Sequence, residues 1–588
     1  MLILIGASTV IVAGAGISVS PARARSPEAV KDEGTLFGSY LAGRIARGKH
    51  DTASASEFYR RALDRDPGNE ALIEQALLMN AAEGRMEDAI RLARKLLETR
   101  PTHRMAKLAV ALEDVKAGRY AEADEHFKTA GIGLIGEVTG TLARAWLKLA
   151  QGDVEAAGTV LDGLRNAEWT QVFLRYHKAL IFDSAGRHSE AREIYDKLFH
   201  GETRSLRVTL AYAHHASATG DQKLARSILD EYIRKSPSNA HPVAKALARQ
   251  LARSDEQTPL LIEKPIEGVA EVMYGLGEAL AQEATMASVG AIYLQMALYL
   301  QPDHSFALAA LANYYETIKK HEEAIAAYDR IPADSPLHSA VEIRKALNLN
   351  QVDRVEEAKA LLEKLAHSDP KDIKPLDALG SIMRARKRYK EAADYYTKAI
   401  SLLGPRPDKR NWTYFYARGT SYERLKRWSL AEPDLQKALR MAPDQPHVLN
   451  YLGYSWVDQN KNLRQGLSLI EKAVNLKPDD GYIVDSLGWA HYRLGNYKEA
   501  VRYLERAVEL RPEDPVLNDH LGDAYWRAGR RNEARFQWYQ ALTLNPEPED
   551  AERIKAKMEH GLASRHRPRT ARKSREASRQ DAQRRRSQ

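Results

Sequence analysis

The sequence predicts an all-α chain, a superhelical solenoid of about fourteen stacked helix pairs. Three observations carry that prediction. Alanines recur at Ala55, Ala89, Ala123, Ala157, Ala191 and Ala225, each 34 residues after the last. Loop signals around Gly84, Gly118, Gly152, Gly186 and Gly220 fall about five residues before them, where two helices of a pair must turn. Prolines at Pro67, Pro101 and Pro237 stand where a second helix should stop. A 34-residue unit with helix-period apolar residues cannot bury its own face, so it must stack on its neighbours.

Taken in order, residues 1–24 read as a signal peptide or an N-terminal anchor. Leu2 to Val19 holds no charged residue, and Pro21-Ala22-Arg23-Ala24 supplies an A-x-A cleavage pattern. The run has no Lys or Arg before it and sits at the lower length limit for a spanning helix, which leaves an uncleaved anchor and a mis-set start as alternatives. Residues 36–237 form an N-terminal array, with Ala62, Leu96, Ala130, Leu164, Leu198 and Tyr232 at one recurring apolar position. The register breaks over 238–268, read as an irregular hinge with one helix, Pro242 to Arg253, ahead of Asp255, Pro259 and Pro265. It restarts with Gly277, Ala297 and Pro302 and continues through Ala324, Ala358 and Ala392 as a central array, 269–404.

After Gly404-Pro405-Arg406-Pro407 comes the most regular block, 410–546. Gly419, Gly453, Gly488 and Gly522 recur there with Ala438, Ala473, Ala507 and Ala541, and Pro443, Pro478, Pro512 and Pro546 end each unit. Residues 547–563 are expected to form a solvating cap helix with Ile554 and Met558 on one face. The Arg-rich tail, 564–588, lacks the apolar content to fold alone.

Composition narrows the function. An apolar fraction of 44% and a charged fraction of 28% belong to a folded soluble protein. The net charge of +9 hints at nucleic acid until it is located: from Arg565 to Gln588 ten Lys/Arg face only Glu576 and Asp581, so the body is close to neutral. That tail could rest on an anionic membrane or serve as a nucleic-acid arm. The absence of cysteine excludes disulfides, thiolate metal sites, thiol nucleophiles and lipid attachment through an N-terminal Cys.

Nothing in the sequence points to catalysis, a cofactor or a metal. Gly131-Ile132-Gly133-Leu134-Ile135-Gly136 has the spacing of a dinucleotide fingerprint, but it lies between two predicted helices and lacks the strand that the fingerprint needs. The 18 histidines form no H-E-x-x-H, and the neighbours His214 and His215 point apart on a helix. A non-enzymatic chain without a small-molecule substrate is the expectation.

Leu487-Gly488, Ala500, Leu504, Ala507 and Pro512 reproduce the pattern of the tetratricopeptide repeat family, and the chain resembles it over about residues 36 to 546. The resemblance implies that certain positions of each first helix line a concave groove while others pack into the core. It assigns Phe415, Tyr422, Trp456, Tyr525 and Trp538 to the core. It assigns Tyr416, Tyr451, Tyr454, Tyr482, Trp489, Tyr492 and Trp526 to the groove, among Asn450, Asp485, Ser486, Asp519, His520 and Asp523. Aromatic rings give rigid contact area, and Asn, Asp and His can hydrogen-bond an extended peptide. Six of the eight Trp lie after residue 405, so a partner groove is expected in the C-terminal block, with Trp489 and Trp526 serving binding rather than stability. The paired groove residues Asn450 and Tyr454, Asp485 and Trp489, Asp519 and Asp523 lack the cations of a carboxylate clamp, and such a lining favours basic or apolar segments.

The stretch from Asn450 through Trp489 to Trp526 also resembles bacterial envelope repeat lipoproteins that dock a carboxyl-terminal processing protease, although the lipid-accepting Cys is missing. That resemblance implies a periplasmic or cell-envelope adaptor with a protein or peptide partner. An assembly factor for envelope polysaccharide or lipopolysaccharide export, and a cytoplasmic scaffold with a nucleic-acid-binding tail, are the alternatives.

Overall fold

The register alanines mark where the two helices of a pair come closest. Ala55, Ala89, Ala123, Ala157, Ala191 and Ala225 are all fully buried, as are Ala324, Ala358, Ala392, Ala438, Ala473, Ala507 and Ala541. A larger side chain there would push the pair apart. The computed structural model describes residues 35–130, 134–164, 168–201, 205–235 and 240–563, and within them the chain is helical throughout. The signal or anchor segment, Pro237 and the Arg-rich tail lie outside the described residues, as do the first three residues of the glycine-rich stretch, whose remainder opens the helix Leu134–Ala150. Among the described residues no helix is long and apolar enough to cross a membrane. The chain divides into two compact units, one reaching His338 and the other starting at Ser339, so the boundary falls inside the span read as a central array.

The first unit begins with six helix pairs, from Leu36–Gly48 with Thr52–Arg65 to Leu206–Ala218 with Gln222–Lys235. The turn glycines have positive φ, from 75° at Gly84 to 88° at Gly220, a region closed to most side chains. The helix Pro242–Arg253 then packs on Gln222–Lys235. After it, residues 254–264 are tied down: Thr258 N donates to Ser217 Oγ at 3.0 Å, His214 Nδ1 meets the Pro259 carbonyl at 2.9 Å, and Ser184 Oγ donates to the Ile262 carbonyl at 2.9 Å.

That path carries the chain back over its own first helices. Pro265–Ala281 and Ala287–Leu300 form a hairpin that packs on Glu70–Ala82, Arg104–Lys116, Leu134–Ala150 and Glu168–Ser184. The hairpin is apolar nearly all round, and every residue from Gly290 to Leu298 is buried. Polar groups fix its seat. Thr139 Oγ1 and Tyr293 OH are 3.1 Å apart, Gln295 Nε2 donates to the Ala82 carbonyl at 3.3 Å, and Arg207 and Tyr176 both bond Glu271. In this unit the face that the repeat pattern assigns to a groove is filled by the chain itself.

The second unit holds the regular block: Trp412–Arg424 with Trp428–Met441, Pro446–Asp458 with Leu463–Leu476, Gly481–Leu494 with Tyr497–Leu510, and Pro515–Arg527 with Arg531–Thr543. Gly488 lets the helices of its pair approach, since a Cβ there would lie 2.6 Å from Leu504 Cγ. The cap helix Pro548–His560 closes the unit and buries Ile554 against Trp538 and Tyr525.

Candidate functional site

Three consecutive first helices of the second unit, Pro446–Asp458, Gly481–Leu494 and Pro515–Arg527, build a cleft of about 270 Å³. Seven residues expected in the groove line it: Asn450, Tyr451, Tyr454, Tyr482, Asp485, Ser486 and His520. The sequence reading missed Asp514, Val516 and Leu517, which complete the wall. Their signal is their place at the start of the next first helix, where Asp514 caps the backbone N–H groups of Val516 and Leu517 at 2.8 and 3.2 Å.

The polar groups of the cleft divide into spent and unspent. Tyr451 OH donates to Glu423 at 2.7 Å, and Ser486 Oγ donates to its own helix. His520 Nδ1 lies 3.0 Å from both oxygens of Asp485. Burial works against a charge on His520, but the Asp485 carboxylate, with Asp519 and Asp523 behind it, outweighs that and raises its pKa. Burial also raises the Tyr451 and Tyr454 phenols, which therefore stay protonated donors. Asn450 Oδ1 is different: it is buried at the cleft and has no hydrogen-bond partner. An unpaired buried acceptor costs about 1–3 kcal/mol.

Trp489 stands beside the cleft between two rings, stacked on His520 at 4.1 Å and on Tyr492 at 4.6 Å. Its indole N–H is also buried without a partner. Tyr416 meets Tyr451 edge to face at 5.7 Å, and Tyr492 is buried.

Asp519, Asp523 and Trp526 are engaged elsewhere. Lys557 of the cap helix lies 2.7 Å from Asp519 and 2.8 Å from Asp523, and Arg553 reaches Asp519 at 3.1 Å. Burial raises the Asp523 pKa even with Lys557 beside it. Trp526 packs against Trp538, with ring centroids 5.4 Å apart, and against the backbone at Gly561. The cap thus covers the last repeat, and these three residues hold the chain to itself. With Asp485 answered by His520, the three acids assigned to the groove are paired within the chain, and Asp514, which caps its own helix, is the remaining carboxylate of the cleft wall. Four of the five rings expected in the core are buried, and Tyr422 is not. Trp456 Nε1 donates to Glu432 at 2.7 Å, Trp538 Nε1 to Asp523 at 3.0 Å and Tyr525 OH to Glu505 at 2.8 Å, while Phe415 is buried and Tyr422 half-buried.

The tetratricopeptide repeat family model matches residues 40–104, 416–481 and 486–549, and a second tetratricopeptide repeat model matches 376–410. The chain is similar to the TPR repeat-containing protein PA4667 of Pseudomonas aeruginosa, 29% identical over 167 residues, which is 27% of this chain; it spans about a quarter (26%) of that relative's length. Among solved structures it is similar to the Cut9-Hcn1 hetero-tetramer (14% identity, 90% of this chain and 96% of that one, TM-score 0.37). It is also similar to YrrB, a TPR protein with an unusual peptide-binding site (19% identity, 37% and 92%, TM-score 0.23), and to Pseudomonas aeruginosa pilF (21% identity, 41% and 100%, TM-score 0.31). The 34-residue step, the buried alanines and the family matches converge: the chain carries tetratricopeptide repeats in both of its units.

Proposed function

We propose that this chain is a non-enzymatic scaffold that holds an extended peptide segment of a partner protein in the cleft of its C-terminal array. Repeat folds of this kind offer extended surfaces to protein partners. The observation that carries the reading is Asn450 Oδ1, a buried acceptor without a partner, set in a cleft among protonated phenols and beside Val516 and Leu517. An extended peptide supplies what that wall lacks, a backbone N–H for the amide and apolar side chains for the rest. Because Asp485, Asp519 and Asp523 are internally paired and Asp514 is the one further carboxylate of the wall, mainly apolar segments are the better match.

The uncharged run at Leu2 to Val19 and the A-x-A pattern after it support export to the periplasm or cell envelope. The resemblance of residues 450–526 to envelope adaptors supports a carboxyl-terminal processing protease as the partner, with the scaffold presenting its substrates. Purification of the tagged chain from its native cell tests both points. Recovery of a periplasmic protease that Asn450→Ala loses supports the proposal. Recovery only of polysaccharide or lipopolysaccharide export components would replace the partner assignment, and a full-length cytosolic chain beginning at Met1 would refute export.

A further inference from the structure

A second cluster of titratable groups lies in the first unit, far along the sequence from the cleft. Asp183 ends the helix Glu168–Ser184, His188 opens the helix His188–Phe199, and His215 belongs to Leu206–Ala218 in the next pair. The Nδ1 atoms of both histidines lie 2.8 Å from Asp183 Oδ1, and ligand atoms of all three residues fall within 4.8 Å of one another. Asp183 and His215 are buried, whereas the His188 side chain is 44% exposed. The cluster is therefore walled on one side and open to solvent on the other.

The repeat itself shows that these are not ordinary packing residues. Counted from the turn glycines, the position three before reads Ala81, Val115, Leu149, Asp183 and Ser217; the position two after reads Met86, Tyr120, Val154, His188 and Gln222. The position five before reads Met79, Glu113, Leu147, Ile181 and His215. Three mostly apolar positions change to a carboxylate and two imidazoles where they meet across one junction. The following pair shows a plain polar clasp at the first two of these positions, Ser217 with Gln222 at 3.2 Å.

We propose that Asp183, His188 and His215 bind a divalent transition-metal cation, with Zn²⁺ the best match. Two imidazole nitrogens and one carboxylate oxygen form a borderline donor set, whereas Ca²⁺ and Mg²⁺ demand oxygen shells. A tetrahedral ion with bonds of about 2.0–2.1 Å sets its ligand atoms about 3.3 Å apart, so on binding the 2.8 Å contacts to Asp183 open, and separations within the 4.8 Å spread of the cluster close, through side-chain torsions. Each imidazole then turns its Nδ1 lone pair to the metal and carries its proton on Nε2. The fourth position faces solvent beside His188 and is left for water or a partner's side chain. Donors from three helices of two consecutive pairs make the cation a clamp on the junction between them.

The test uses the full chain, stripped with a chelator and titrated with Zn²⁺ by calorimetry and with Co²⁺ by visible absorption. One equivalent per chain, d–d bands of nitrogen–oxygen ligation, and a melting temperature that rises with Zn²⁺ are expected. His188→Gln, at an exposed position with little packing to lose, should weaken binding at least ~10-fold and remove the thermal shift, Asp183→Asn should act alike, and His188→Cys should retain binding. No saturable binding at ~100 µM metal, an affinity of no consequence for a built site, would overturn the proposal. So would binding that His188→Gln and Asp183→Asn leave unchanged, which would assign the metal to other histidines.

Discussion

Arg207 grips Glu271 with two parallel hydrogen bonds, Nε to Oε1 at 2.9 Å and Nη2 to Oε2, across 64 residues of chain. The pair joins the last helix pair of the N-terminal array to the hairpin lying over its first helices. Burial favours a neutral Glu271, but Arg207 and His304 hold its pKa down at about 2. Replacing Arg207 by Ala strands a buried carboxylate and should cost about 3–5 kcal/mol in denaturant unfolding. The sign with pH follows from the lowered pKa: the stabilisation is complete above the unfolded carboxyl value near 4.5 and is lost as pH falls toward about 2. A Glu271→Gln variant, destabilised at neutral pH by the unpaired Arg207, should show a shallower loss of stability with acid over that window than the wild type.

Gly268 faces Trp146, and a Cβ at that position would enter the indole ring. Gly268→Ala should therefore unseat the hairpin rather than tighten its helix. The indole is held by a hydrogen bond to His177 Nδ1 at 3.0 Å, and burial keeps that imidazole neutral, with its pKa at about 4. The expected outcome is a red shift of Trp146 fluorescence and faster proteolysis within 254–264.

His520 should titrate above the ordinary histidine value, because Asp485 outweighs its burial. A group whose folded pKa is raised contributes stability below its unfolded value, about 6.5, and loses it as pH rises through the folded value. Asp485→Asn removes the largest raising influence and leaves burial opposed only by Asp519 and Asp523, so the His520 pKa should fall in an NMR titration of the ring protons. An unchanged titration would show that Asp485 is not the cause.

Trp526 and Trp489 should separate on mutation. Trp526 packs in the cluster with Trp538 and the cap, so Trp526→Ala should cost about 3 kcal/mol and leave peptide binding largely intact. Trp489→Ala loses its stacking on His520 and Tyr492, about 0.5–1.5 kcal/mol each, together with packing against the edge of the same cluster, and should differ from Trp526→Ala in weakening binding at the cleft. Denaturation curves and peptide anisotropy measure the two effects side by side.

Lys557→Ala should destabilise the second unit by about 3 kcal/mol, because the buried Asp519 and Asp523 lose the cation they share and keep only Arg553 and the Trp538 N–H as partners. Asp523 already binds its proton more tightly than a free carboxyl, so the loss should shrink as pH falls through its folded pKa. A variant loss independent of pH would contradict this electrostatic account.

The period made the helix pairs and their closest contacts legible, since Ala55 and Ala541 are buried for the same reason at opposite ends of the sequence. It also separated Trp456 and Trp538 from the rings of the cleft. What it could not express is contact outside the nearest-neighbour rule. Ala297 obeys the repeat pattern, yet its helix packs on Glu70–Ala82, a pairing that no local period encodes. The cap misled in the same manner: Ile554 and Met558 foretold an amphipathic helix, but its placement over Asp519, Asp523 and Trp526 depends on Lys557 and Gly561 finding them in space. Asp183, His188 and His215 were invisible as a group because they sit in three helices.

The Gln295 side chain reaches the Ala82 carbonyl across 213 positions of sequence. A one-dimensional array can form from either end and lose repeats one at a time. The first unit cannot, because its early pairs wait for residues near 300 before their exposed apolar faces are covered, and the cost of closing that large loop falls before the reward. During synthesis the emerging array must remain incomplete until the hairpin leaves the ribosome. A chain cut after the sixth pair should then be sticky rather than merely shorter.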